Sequence, residues 1–137
     1  MLGFDGQHGV RQEVKVGDRR FDMEVLDAAG QRAWLIEVKS VTLARDGVGL
    51  FPDAPTGRGA EHLRRLGEIA AAGGRTALIF AVGRRDASRL RPHIAIDPRF
   101  GRALRQAVER GLKVLAWRID AAPDGLYAGP KLGVEWQ

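Results

Sequence analysis

The chain contains no cysteine, which excludes disulfides, cysteine nucleophiles and thiolate zinc sites. It also has no run approaching ~18 apolar residues, the length of a membrane-spanning helix, and residues 1–20 contain no apolar segment typical of a signal peptide. Internal repeats, low-complexity tracts and an obvious linker are missing too. We therefore expect one domain over residues 1–137, located in the cytoplasm and without a membrane partner.

Lysine is scarce in an otherwise basic chain. Only four of the 22 Lys and Arg residues are lysine, so 18 are arginine, and the formal net charge is +5. The planar fork of arginine suits phosphate, which favours an anionic partner such as nucleic acid. A coding bias towards arginine with a solvated surface explains the same numbers equally well, so charge alone does not decide.

Apolar periodicity predicts a mixed sheet flanked by helices. Thr56 can cap a helix that ends near Ala72, and Asp97-Pro98 begins a second helix that stops at Gly111. Residues 44–55 are predicted as a loop, and the tail from Ala121 is turn-rich. The predicted order is β-β-β-α-β-α-β, an α/β (α+β) fold of the mixed-sheet type. The predicted strands are residues 12–16, 20–27, 32–41, 76–82 and 113–119.

The second and third predicted strands form a hairpin whose register can be read from the sequence. A turn within residues 28–31 pairs positions whose numbers sum to 59, so Asp22 lies directly across from Glu37, roughly 5 Å away. Lys39 lies two residues beyond Glu37 and therefore on the same face. Alternation also predicts that Phe21, Met23 and Val25 share the opposite face of their strand.

Two facing carboxylates repel each other, and a fold keeps such a pair when something compensates. A divalent cation between Asp22 and Glu37 would compensate, because hard cations take carboxylate oxygens. Such a cation acidifies water and polarises a phosphoryl oxygen, and Lys39 could orient a nucleophile or stabilise developing charge. The competing interpretation is a solvated sheet face, since a Glu-x-Lys triplet is common by chance.

Longer runs are more specific than this triplet. They are Arg20-Phe21-Asp22, residues 37–43 (EVKSVTL), residues 51–56 (FPDAPT), Arg58-Gly59 and His62-Leu63, followed more weakly by residues 77–82 and 96–98. In order and spacing they resemble the sugar fermentation stimulation protein (SfsA) family, and the resemblance covers almost the whole chain.

This resemblance implies a restriction-endonuclease-like fold of the PD-(D/E)XK superfamily and a nuclease dependent on Mg²⁺ or Mn²⁺. It implies that Asp22 and Glu37 bind the metal, that the backbone carbonyl of Val38 completes the site, and that Lys39 is the catalytic lysine. Glu13 stands where an additional metal-binding acid often occurs.

The resemblance also implies DNA binding, with DNA favoured over RNA, through Arg58 and His62. These residues lie four positions apart on one side of the first predicted helix, whose N-terminal amides favour anions. An ordinary polar helix face is the alternative interpretation. Several nucleases of the superfamily act as dimers, so a homodimer is a further expectation.

Members of the family usually carry an N-terminal part that resembles an OB-type domain, and this chain is expected to lack it. Two other functions stay open at this point. One is a non-catalytic DNA-binding regulatory module linked to sugar metabolism. The other is a protein-interaction domain whose partner supplies the nucleic-acid contacts.

Overall fold

The computed structural model describes residues 9–136, in which nine strands form a mixed sheet and two helices pack on it. This is an α+β fold of the predicted class. In chain order the elements are β1 (Gly9–Val16), β2 (Arg19–Leu26), β3 (Arg32–Val41), β4 (Leu43–Arg45), β5 (Val48–Phe51), α1 (Gly57–Ala71), β6 (Thr76–Val82), β7 (Arg89–Pro92), α2 (Pro98–Glu109), β8 (Lys113–Ala122) and β9 (Gly125–Val134).

The strand order in the sheet is β1-β2-β3-β6-β8-β9-β7-β5-β4. The pairs β1–β2, β2–β3, β8–β9 and β4–β5 are antiparallel, whereas β3–β6, β6–β8, β7–β9 and β5–β7 are parallel. Helices α1 and α2 lie in the connections that lead to β6 and β8, as expected for crossovers between parallel strands. No helix within residues 9–136 is long and apolar enough to cross a membrane.

Both helices begin at the predicted caps. The Thr56 hydroxyl accepts the Gly59 N–H at 3.0 Å, and one carboxylate oxygen of Asp97 accepts the Phe100 N–H at 2.9 Å. The other oxygen of Asp97 accepts the backbone N–H of Thr56 at 2.7 Å. Asp97 therefore caps α2 and also fixes the residue at which α1 begins.

The sheet has a different core on each face. The larger core lies under the helices, and the smaller one consists of strand residues around Val25, Ile36 and Ala77, with Met23 and Trp34 packed against them. The larger core contains Leu35, Leu78, Phe80, Leu63, Leu66, Phe100, Leu104 and Ala107.

The predicted element order missed four strands. The expected loop at residues 44–55 contains the hairpin β4–β5, the expected tail contains β9, and β7 was not predicted at all. The β4–β5 turn is Asp46-Gly47, with φ of 52° and 79°. An Asp-Gly pair with both φ angles positive is the pattern of a two-residue hairpin turn, so the sequence did contain a signal for this hairpin.

The prediction that Phe21, Met23 and Val25 share one face was wrong for Phe21. Phe21 lies in the larger core, whereas Met23 and Val25 pack in the smaller one. The alternation in β2 is therefore broken between Phe21 and Met23. Glu13 stands opposite this break in the β1–β2 register and has a φ of 53°, a left-handed conformation that only a few per cent of residues other than glycine adopt.

Candidate active site

A cavity of about 390 Å³ opens where β1, β2 and β3 meet the first two turns of α1. It brings together all the residues that the sequence singled out, and adds Arg20 and Phe21. Its lining residues are Glu13, Arg20, Phe21, Asp22, Glu37, Val38, Lys39, Arg58 and His62.

The predicted hairpin register is confirmed. Met23 pairs with Ile36, and Val25 pairs with Trp34, so the next positions beyond Met23 and Ile36 are Asp22 and Glu37. At these positions a side-chain contact replaces the backbone pairing of β2 and β3: Asp22 Oδ2 accepts the Val38 N–H at 2.7 Å. The carboxyl groups of Asp22 and Glu37 also share a hydrogen bond.

The β2–β3 turn holds this register. The Asp27 side chain accepts the N–H groups of Ala29 and Gln31, each at 2.9 Å. Gly30 has a φ of 77°, which glycine adopts without steric cost. A bulge between Val25 and Leu26 shifts the strand register next to the turn. From Val25 towards the cavity, the pairing keeps the predicted register.

Burial makes Glu37 a weak acid in the metal-free protein. Glu37 is 3% exposed, and this burial, together with the hydrogen bond to Asp22, raises the pKa of Glu37 to about 8 against the opposing charge of Lys39. Burial also raises the pKa of Asp22, but hydrogen bonds from Glu37 and the Val38 amide and the charge of Lys39 outweigh it, so the Asp22 pKa is lowered. The pair therefore retains one proton at neutral pH.

His62 lies inside the site. It is 6% exposed, its Nδ1 shares a hydrogen bond with Oε2 of Glu37, and its ring packs against Phe21 with the centroids 5.3 Å apart. Burial and the nearby charges of Lys39 and Arg58 lower the pKa of His62. The sequence placed His62 on a polar helix face. Its spacing of four residues from Leu66, on the buried stripe of α1, was the signal for this inward position.

Three cations and a further acid surround the carboxylate pair. Lys39 projects from β3, Arg20 from β2, and Arg58 from the first turn of α1. Arg58 is exposed and forms no ion pair or hydrogen bond with the residues that the structure describes. Glu13 is exposed and stands across from Asp22 on β1. Sequence reasoning had not assigned Arg20 to the site.

The donors that could hold a cation are oxygens. Asp22 and Glu37 supply two carboxylates. The Val38 N–H points at Asp22, so the Val38 carbonyl faces the same edge of β3, because the two groups of one strand residue point the same way. Within residues 9–136, no group of three or more His, Asp or Glu side chains is arranged to hold a metal ion. The two carboxylates and the carbonyl are nevertheless oxygen donors of the kind that hard divalent cations prefer.

A mixed sheet whose antiparallel hairpin presents paired carboxylates beside a lysine defines a nuclease-like α+β fold. A family model described as "Sugar fermentation stimulation protein RE domain" matches residues 2–125. The chain belongs to the sugar fermentation stimulation protein (SfsA) family.

Relatives and a solved structure agree with this assignment. Proteins described as "Sugar fermentation stimulation protein homolog" are 44% identical over 127 residues in Alcanivorax borkumensis (86% of this chain, 52% of that protein) and 44% identical over 130 residues in Geobacter sulfurreducens (94% and 55%). The structure of Pyrococcus furiosus SfsA in complex with Ca²⁺ is similar with a TM-score of 0.85 and 26% identity, covering 95% of this chain and 56% of that one. The chain spans about half the length of the relatives that it matches.

Proposed function

We propose that this chain is a nuclease domain that hydrolyses phosphodiester bonds of nucleic acid with Mg²⁺ or Mn²⁺, with DNA the favoured substrate. The observation that carries the proposal is the contact between the exposed Asp22 and the buried Glu37, next to Lys39 and the Val38 carbonyl. Two carboxyl groups in contact, one of them with a raised pKa, are expected where both bind the same cation. The similarity to an SfsA protein solved with Ca²⁺, another hard cation, supports the same proposal.

Each residue has a defined task in this proposal. Asp22 and Glu37 bind the cation through carboxylate oxygens, which requires Glu37 to lose its proton, and the Val38 carbonyl adds a neutral ligand. When bound, the cation supplies Lewis-acid activation of water and charge neutralisation at phosphorus. Lys39 orients the attacking water or stabilises charge that develops on the phosphoryl oxygens.

His62 and Arg58 take different places around this centre. His62 is a positioning residue, since its Nδ1 holds Oε2 of Glu37, the acid that also shares a hydrogen bond with Asp22. Arg58 is exposed at the start of α1, where its guanidinium and the helix N-terminus favour the same anion. We propose that Arg58 binds a substrate phosphate.

The proposed function is tested by a nuclease assay on single- and double-stranded DNA and RNA with Mg²⁺ or Mn²⁺. The unsubstituted protein is compared with Asp22→Asn, Glu37→Gln and Lys39→Met, and with the control Glu68→Gln, an acid on the outer side of α1. We expect the three site variants to lose activity by roughly 100-fold or more, the scale of losing one preorganised electrostatic group. Equal cleavage by all five proteins would remove the assignment.

A non-catalytic nucleic-acid-binding module is the second candidate. The cations Arg20, Lys39 and Arg58 around the cavity favour it, because they would attract phosphate without any metal. A mobility-shift assay in EDTA, run beside the cleavage assay, separates the two functions. Salt-sensitive binding with no cleavage in Mg²⁺ or Mn²⁺ would favour the binding module.

A further inference from the structure

The β1–β2 hairpin contains two neighbouring cross-strand pairs of like charge. Lys15 and Arg20 are direct partners in the register. Two positions further along each strand, Glu13 stands across from Asp22, between the paired positions Gln12–Met23 and Val14–Phe21. Like charges directly opposite one another destabilise a sheet. The hairpin therefore places the Lys15–Arg20 pair, which costs stability, beside the two acids Glu13 and Asp22.

The other cations of this hairpin have acidic partners. Arg11 lies 3.8 Å from the Glu24 carboxylate, and Arg19 reaches Glu61 on α1 at 3.2 Å. By contrast, Lys15 and Arg20 are exposed, and neither side chain forms an ion pair or a hydrogen bond within residues 9–136. An unpaired cationic pair next to a cavity is suited to an anion supplied from outside the chain.

The position of the cationic pair defines what that anion would be. Arg20 lines the same cavity as Asp22 and Glu37, and two residues along a strand span ~7 Å. This step is comparable to the separation of neighbouring phosphates along a nucleic-acid strand. We propose that Lys15 and Arg20 bind the phosphate next to the one that is cleaved at Asp22 and Glu37.

This inference rests on the proposed function and makes it more specific. The preferred substrate has at least two consecutive phosphodiester groups, and an isolated phosphodiester lacks the second contact. Arginine can hold a phosphate through two parallel hydrogen bonds, whereas lysine contributes a point charge, so Arg20 supplies orientation as well as attraction. The cost of the like-charge pair is offset when the phosphate binds.

The first test measures nucleic-acid binding without metal. A fluorescent single-stranded oligonucleotide is titrated in EDTA at several NaCl concentrations with the unsubstituted protein, Lys15→Gln, Arg20→Gln and the double variant. We expect each substitution to weaken binding several-fold and to reduce the salt slope by about 0.7 for each phosphate of the single strand that the protein no longer neutralises. Melting temperatures should stay equal or rise, because the substitutions relieve repulsion between exposed groups.

Arg110→Gln is the matched control for this test. Arg110 caps the C-terminal end of α2 and packs beside Gly67, 3.4 Å from where a Cβ on that glycine would lie. Gly67 is nine residues along α1 from Arg58, or about 13 Å. Arg110→Gln should bind like the unsubstituted protein. A loss in the control equal to that of Lys15→Gln and Arg20→Gln would show general charge attraction and overturn the inference, as would unchanged binding by the double variant.

The second test uses the substrate. Oligonucleotides carry a neutral methylphosphonate on the 5′ or the 3′ side of one cleavable linkage, and kcat/KM is measured with Mn²⁺. For the unsubstituted protein, one of the two replacements should lower kcat/KM about tenfold, a difference of about 1.4 kcal/mol. The double variant should be insensitive to the same replacement. An equal loss in both proteins would overturn the inference and leave the proposed function standing. If no linkage is cleaved at all, the nuclease proposal fails. The binding test in EDTA then still decides whether Lys15 and Arg20 bind phosphate.

Discussion

At the scale of single residues, the site depends on an acid, Glu37, that the fold makes harder to ionise. Glu37 is almost completely buried next to Asp22, and the hydrogen bond to His62 leaves its carboxyl group little freedom. In the metal-free protein Glu37 is held protonated beside Asp22, and a bound cation would take the place of that proton. A residue that orients Glu37 should therefore affect cation binding.

His62 tests this idea. Replacing His62 with Ala removes the hydrogen bond that orients Glu37, and loss of such an outer partner typically weakens metal binding by roughly tenfold or more. His62→Asn places an amide near the position of Nδ1 and should restore part of the affinity. Calorimetric titration with Ca²⁺ measures both variants without turnover.

A control separates orientation from packing. His93 is half-buried, and its Nδ1 lies 3.1 Å from the Pro52 carbonyl. His93→Ala therefore removes a histidine ring at a position far from Glu37 in the chain. We expect its Ca²⁺ affinity to equal that of the unsubstituted protein. If His62→Asn binds Ca²⁺ no better than His62→Ala, His62 does not position Glu37.

The raised pKa of Glu37 predicts a pH-dependent stability in EDTA. The folded-state pKa is about 8, against 4.5 for an ordinary Glu, so the protonated acid stabilises the fold at low pH and this contribution is lost as pH rises through about 8. The lowered pKa of His62 acts below its ordinary value of 6.5, so a window from pH 7 to 9 isolates Glu37. Over it, the free energy of unfolding should fall by about 1 kcal/mol.

Urea denaturation at pH 7 and pH 9 measures this change, with Glu37→Gln as the comparison. Because Gln does not titrate, the variant should lose clearly less stability between the two pH values. A parallel loss in both proteins would mean that Glu37 is already ionised at pH 7 in the folded state.

At the scale of elements, Asp97 joins the starts of both helices. It is 6% exposed and accepts the N–H groups of Phe100 and Thr56. Asp97→Ala should lower the free energy of unfolding by about 2 kcal/mol, because it removes a helix cap and leaves the half-buried Thr56 N–H without its acceptor. Asp53→Ala, at an exposed position three residues before Thr56, is the control in urea denaturation. Equal stability of the two variants would contradict this role.

The elements that the sequence predicted are those with strong local signals. Alternation gave β2 and β3, the caps Thr56 and Asp97 gave the helices, and a continuous apolar run gave β6. The missed strands are short or exposed: β7 has four residues, and most of β9 is solvent-exposed. The pairing of β7 depends on partners far away in the chain, such as Leu90 with Val134, and no local pattern records such a pairing. By contrast, β4–β5 and β8–β9 are local hairpins, and the Asp46-Gly47 turn of the first is a signal that the prediction overlooked.

The candidate site was more predictable than the complete sheet. The predicted register of one hairpin placed Asp22 opposite Glu37, and the structure has this register from Val25 towards the site, beyond a bulge next to the turn. The inward position of His62 and the entry of Arg20 into the cavity depend on how α1 crosses the sheet and on the break in alternation near Glu13. These are tertiary features, which explains why the sequence placed His62 on an outer face and overlooked Arg20.

At the scale of the whole molecule, the two faces of the sheet have different surroundings. Helices α1 and α2 cover the larger core, and their close approach at Gly67, where a Cβ would lie 3.1 Å from the Ala107 Cα, keeps them packed together. The carboxylate cavity opens at the edge of this layer, between the β1–β2 hairpin and α1. A rigid helix pair on one side and a twisted hairpin on the other thus hold the proposed metal ligands and the phosphate-binding cations in one place.

The central claim is that Asp22 and Glu37 bind one divalent cation together. Calorimetric titration with Mn²⁺ of the unsubstituted protein, Asp22→Asn, Glu37→Gln and the control Glu68→Gln tests it most directly. The account predicts a binding event in the unsubstituted protein and the control that is lost, or weakened by roughly 100-fold, in each of the two site variants. Binding of equal strength in all four proteins, or none in any of them, would contradict it.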